Sequence, residues 1–110
     1  MGFVLVINAD QMGHGDLELG RKLLSTGLRK LANADDLDTI ILYNSGVRLA
    51  VKDSYAAVEL SLLHERGVEI LACGTCVDHF GIRERLIVDR LSNMDEILAT
   101  LRAAAKVVTL

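Results

Sequence analysis

The polar and apolar positions of this chain fall into blocks. Phe3-Val4-Leu5-Val6-Ile7 is an unbroken apolar run with β-branched members, the pattern of a strand covered on both faces. A turn-rich loop follows, from Asn8 to Gly15. Asp16 then caps a predicted helix running to about Ala32, with Leu17, Leu24, Leu28 and Leu31 near helical spacing. Thr39-Ile40-Ile41-Leu42 reads as a second buried strand, Asn44-Ser45-Gly46 as a turn, and Val47 to Val51 as one helical turn. A helix starting at Asp53 or Ser54 ends at Gly67, its C′ residue. Val68 to Ala72 is the third strand, Cys76 to Phe80 a short helix, and Leu86-Ile87-Val88 a short edge strand. Ser92 caps a last helix ending near Ala105, and Val107-Val108-Thr109 closes the chain as a strand.

Strands alternating with helices predict an α/β fold around a parallel sheet. Ligands in such sheets bind beyond the carboxyl ends of the strands. Four loops gather there: Asn8 to Asp16, Asn44 to Gly46, Cys73 to Cys76, and Arg90 to Asn93. The 110 residues make a single domain, 1–110, with no repeat or linker. The apolar fraction of 51% sits at the top of the globular range, and surplus apolar surface on a small domain is often used between subunits.

Net charge is −3 and aromatic residues are few. That argues against a nucleic-acid partner, which needs a basic face and stacking rings. No stretch nears the ~20 apolar residues of a membrane span, so no membrane partner is expected. The start has no basic n-region and no h-region of sufficient length. Met1-Gly2 lacks the Ser or Thr of a myristoylation motif, since position 6 is Val6. The chain reads as cytoplasmic.

The only two cysteines form Cys73-Gly74-Thr75-Cys76, between a strand end and a helix start. Unpaired N–H groups at a helix start favour a thiolate or persulfide. Gly74 permits the turn, Thr75 caps the helix with Asp78 as its capping-box partner, and His79, Arg83 and Arg85 add charge nearby. A dithiol oxidoreductase of the thioredoxin type needs a facing cis-proline, and this chain has no proline. A zinc site would take Cys73, Cys76 and His79, with His14 or His64 supplied from afar. A persulfide carrier needs a nucleophilic thiolate, anion-stabilising donors and an accessible edge. Gly13, Gly15 and Gly20 have neither dinucleotide-binding nor Walker A spacing, and Gly13 and Gly15 are read as the rim of the site. Asn44, Ser45 and Asn93 are candidate donors to a sulfur anion. The helix-start argument does not choose between Cys73 and Cys76.

Together, Asp10-Gln11-Met12-Gly13, Gly15-Asp16, Leu19-Gly20, Tyr43-Asn44-Ser45-Gly46-Val47, Gly67-Val68-Glu69-Ile70-Leu71, Cys73-Gly74-Thr75-Cys76 and Ser92-Asn93-Met94 carry a resemblance over essentially the whole chain. The sequence resembles the DsrE/DsrF-like family, which includes the sulfur-relay protein TusD and the YchN-like proteins. The match is nearest to the C-terminal DsrE-like domain of the YedF selenium-metabolism proteins. The resemblance implies a three-layer α/β/α sandwich with a five-stranded parallel sheet. It implies a cytosolic carrier of sulfur, and in the YedF branch of selenium, that works through a cysteine persulfide without a cofactor or metal. It implies Cys73 as carrier and Cys76 as a second or resolving thiol. Gly13, Gly15, Asn44, Ser45, Gly46, Gly74, Thr75 and Asn93 would form the surrounding binding site. Its expected partners are further copies of the chain (a dimer, trimer or hexamer) and a TusA-like sulfur carrier, the domain that accompanies this one in YedF proteins. The competing expectation is a non-catalytic oligomeric domain with inert cysteines that binds a small anion or a metal.

Overall fold

The computed structural model describes residues 2–110. Met1, and with it the first residue of the Met-Gly start, lies outside the described residues. Four parallel strands form one sheet in the order β3-β2-β1-β4, with β1 at Phe3–Ile7, β2 at Leu37–Leu42, β3 at Glu69–Ala72 and β4 at Val107–Thr109. All five residues of β1 are buried, as are five of the six of β2, so the sheet is covered on both faces. With the right-handed crossovers that parallel strands take, the strand order places helices α1 (Leu17–Leu31) and α2 (Ala57–Glu65), which touch each other, on one face. It places α3 (Gly74–Phe80) and α4 (Met94–Ala103) on the other, because β4 lies back across β1.

Among the described residues the sheet has four strands, and the expected fifth does not join it. Leu86 makes only an isolated antiparallel bridge to Val51, with flanking bonds from Ile87 N–H to the Ala50 carbonyl and from Lys52 N–H to the Arg85 carbonyl. Leu86 and Ile87 bond to one short segment there, and the Leu86–Val88 run does not reach the parallel sheet. Beside β3 the outermost place is taken by Ser92 alone, in a one-residue parallel bridge to Cys73.

Local chemistry explains the element ends. Asp16 accepts from Leu19 N–H at 2.7 Å and starts α1, whose Leu24 and Leu28 are fully buried while Leu17 stays half exposed. Helix α2 begins at Ala57, three or four residues later than the expected start at Asp53 or Ser54. Ser54 donates to the Leu49 carbonyl and accepts from Ala56 N–H, which holds a turn where a helix would otherwise start. Asn93, not Ser92, is the N-cap of α4, accepting from Glu96 N–H at 2.9 Å. The segment Asn44–Ala50 is a 3-10 helix longer than the single turn expected. Gly46 within it lies against the carbonyl of Ile7, and a Cβ there would overlap that oxygen.

Candidate functional site: a thiol pair beside two cavities

Three loop connections meet at the carboxyl edge of β2 and β3. The loop after β1 is tied to the 3-10 helix, since Asp10 N–H donates to Ser45 Oγ at 3.1 Å. The 3-10 helix is tied to α3, since Asn44 N–H donates to Cys76 Sγ at 3.1 Å. The segment before α4 is tied to β3, with Ser92 N–H on the Ala72 carbonyl and Gly74 N–H on the Ser92 carbonyl. Sequentially distant loops are thus joined by bonds from backbone N–H groups.

Cys73 occupies the N-cap position of α3 without any side-chain capping bond. Its side chain packs in the core, with 3% of the residue exposed. Cys76 sits one turn further on and is partly exposed; both thiols are free. The Cys76 thiol is pushed above its ordinary pKa. Burial is the main cause, contact with the Cys73 thiol adds to it, and the Asn44 N–H acts in the opposite direction. The helix-start effect expected from the sequence is therefore outweighed by desolvation. Helix α3 has only seven residues; its Gly74 N–H is taken by the Ser92 carbonyl, and the Cys76 N–H, which favours the thiolate, is the weakest of the influences on that sulfur.

Cys76 opens onto a cavity of about 380 Å³ lined by Tyr43, Asn44, Thr75, His79, Phe80 and Met94. Of the residues expected at the site, Asn44, Thr75 and Cys76 line this cavity. Asn44 reaches the sulfur through its backbone, and it adopts the left-handed conformation, with φ of 53°. A Cβ on Gly74 would crowd the Ser92 carbonyl and the Leu91 side chain, and one on Gly46 would overlap the Ile7 carbonyl of β1, so both serve close backbone approach. Ser45 holds the Asp10 loop, Asn93 caps α4, and Gly13 and Gly15 lie in an exposed loop with open space around them. Thr75 is not the cap of α3, and Asp78 is engaged by Arg83 in a two-pronged ion pair at 2.9 and 3.0 Å. Among the described residues no three His, Cys, Asp or Glu side chains converge as a metal site, so the zinc reading of Cys73, Cys76 and His79 lacks its geometry.

Sequence reasoning missed Tyr43, Phe80 and Met94 as cavity walls. Tyr43 and Met94 stand next to the expected site residues Asn44 and Asn93 in the motifs that carry the resemblance, which is the signal that could have found them, while Phe80 looks like an ordinary helix residue. It also missed a larger cavity of about 590 Å³ that shares Phe80 with the first, lined in part by Asp10, Arg21, Arg48, Asp53, Tyr55 and Arg85.

A parallel α/β domain with a thiol pair at the carboxyl edge of its sheet defines the class. The chain belongs to the DsrE/DsrF-like family, whose sequence profile matches residues 1–110, a family known for sulfur relay. Its fold is similar to that of the YchN protein from E. coli, at 21% identity and TM-score 0.70, covering 99% of this chain and 98% of that one. It is similar to MTH1491 from Methanobacterium thermoautotrophicum, a protein of unknown function, at 23% identity and TM-score 0.72, covering 98% and 97%. BT1422 from Bacteroides thetaiotaomicron, also of unknown function, matches at 19% identity and TM-score 0.67, covering 97% and 94%. No curated protein matches the sequence. No helix among the described residues is long and apolar enough to cross a membrane.

Proposed function

We propose that this protein carries sulfane sulfur as a persulfide, and that the entry thiol is Cys76. The observation that carries the reading is the contrast between the two sulfurs: Cys76 faces a cavity while Cys73 is 3% exposed. This reverses the order that the family resemblance implies. In loading, the Cys76 thiolate attacks the outer sulfur of a donor R–S–SH. The Cys76 Sγ–S bond forms, the donor S–S bond breaks, and R–S⁻ leaves to take up a proton. The sulfane sulfur keeps its oxidation state, so no external oxidant is required. His79, three residues beyond Cys76 on α3 and on the same cavity wall, takes the thiol proton. The Asn44 N–H stabilises the anion at Cys76.

Cys73 serves as the resolving thiol. Its sulfur bonds to Cys76 Sγ, the outer sulfur leaves as hydrosulfide, and a disulfide remains for an external thiol to reduce. Selenium would follow the same steps with the outer atom replaced. The setting of this activity would be the cytoplasm, in an oligomer that exchanges sulfur with a TusA-like carrier.

Intact mass after incubation with inorganic polysulfide tests the reading. One added sulfur is expected in Cys73→Ser, where no resolving thiol displaces it, and none in Cys76→Ser; the wild type passes on to the Cys73–Cys76 disulfide, read as a loss of hydrogen mass that dithiothreitol reverses. The reverse pattern returns the role to Cys73. No gain in either favours the second reading, an oligomeric domain with inert cysteines, which the burial of Cys73 and the raised Cys76 thiol support.

A further inference from the structure

The larger cavity, about 590 Å³, is of a size that holds a small organic ligand. It shares the Phe80 side chain with the Cys76 cavity, so one residue lines both spaces. The Arg48 guanidinium lies over the Phe80 ring, 4.2 Å from its centroid. Arg48 belongs to the same 3-10 helix whose first residue bonds the Cys76 sulfur.

The lining carries both signs of charge. Arg48 meets Asp10 at 3.6 Å and Arg85 meets Asp53 at 3.5 Å, both looser than direct charge-assisted hydrogen bonds. Arg21 makes no ion pair among the described residues and rests against the Tyr55 ring, 5.6 Å from its centroid. Three guanidinium groups against two carboxylates leave a net positive wall. It suits a ligand that has more carboxylate than ammonium but carries both. Tyr55 donates to the Asp10 carbonyl at 2.7 Å and so anchors the loop that bears one of the acids. Its hydroxyl is pushed up to about 12 by burial and by Asp10, so it remains a donor.

We propose that this arginine-lined cavity binds the carboxylate and ammonium groups of an amino-acid or short-peptide thiol, and that the ligand's sulfur passes Phe80 to Cys76. The guanidinium groups take the carboxylates and the aspartates take the ammonium. This assignment rests on the persulfide reading for its purpose and names the donor class for it. In its persulfide form such a ligand is the R–S–SH of the loading step, and R–SH is what leaves.

Binding is measured by calorimetry with S-methylglutathione, which cannot react, on the wild-type protein. Saturable binding with Kd below about 1 mM is expected. Arg21→Gln and Arg85→Gln should each weaken it about tenfold or more, the scale of a lost charge-assisted hydrogen bond. Lys22→Gln, an exposed change on α1 outside this cavity, should leave it unchanged. In a second arm, Arg21→Gln should raise the KM for loading from glutathione persulfide and leave loading from inorganic polysulfide untouched. Absent saturation, or equal binding by Arg21→Gln and wild type, overturns the proposal. Polysulfide loading on Cys76 without ligand binding removes the cavity assignment and keeps the carrier reading. Binding that depends on Arg21, with no loading from any donor, keeps the ligand site and removes the carrier reading.

Discussion

Asn44 offers a sharp test of how the thiol is held. Its backbone N–H, not its side chain, donates to Cys76 Sγ, and its φ of 53° lies in the left-handed region. An L-residue with an ordinary side chain pays about 1–2 kcal/mol to stand there, and asparagine pays less because its short amide is tolerated. Asn44→Ala should therefore destabilise the fold by about 1 kcal/mol, and Asn44→Val by about 2 kcal/mol because β-branching adds crowding. Asn44→Gly removes the Cβ conflict but loosens the unfolded chain by roughly 0.5–1 kcal/mol, so it should fall within about 0.5 kcal/mol of wild type. At this chain length 1 kcal/mol is about 4 °C in Tm. Urea unfolding reads the stability, and the rate of Cys76 alkylation by iodoacetamide, localised by mass spectrometry, reads the sulfur. Labelling per folded molecule should stay within about twofold in Asn44→Gly, because the N–H···S bond survives and is worth only about 1 kcal/mol. The reasoning fails if Asn44→Val is as stable as wild type. It fails equally if Asn44→Gly changes Cys76 labelling by more than about tenfold at unchanged stability, which would assign the contact to the side chain.

Three further outcomes are expected. Gly46→Ala should cost about 2–3 kcal/mol in urea midpoints, because its Cβ meets the Ile7 carbonyl, whereas Gly15→Ala, with open space around it, should be nearly neutral; equal effects would refute the packing argument. Asn93→Ala should cost about 1 kcal/mol of stability through loss of the α4 cap and leave sulfur loading per folded molecule unaltered; a selective loading defect would return Asn93 to the site. Glu96 is lowered to about 2 by Arg90 and Ser92, so its contribution is present above the unfolded value near 4.5 and is lost as pH falls through about 2. The stability gap between wild type and Glu96→Gln should accordingly shrink across that window, and a gap that widens on acidification would contradict the sign.

The order of strands and helices was legible in the chain, because buried parallel strands need apolar runs and helices need caps. Phe3 to Ile7, Ile40 to Leu42 and the Asp16 cap are local patterns, and local chemistry alone decides them. The thiol pair at a strand end was legible for the same reason. Four things depended on residues far apart in sequence. Leu86 to Val88 looks like a strand, yet its partner is Val51 and it never joins the sheet. Which sulfur is accessible depends on what packs over Cys73, and that cover comes from the core around it. The expected side-chain donors gave way to backbone N–H groups, since Asn93 is occupied by its helix and Ser45 by the Asp10 loop. The arginine cavity joins Arg21 of α1 to Arg48 of the 3-10 helix and to Arg85. No spacing in the chain announces such a grouping, because burial and convergence belong to the three-dimensional packing and not to any local run of residues.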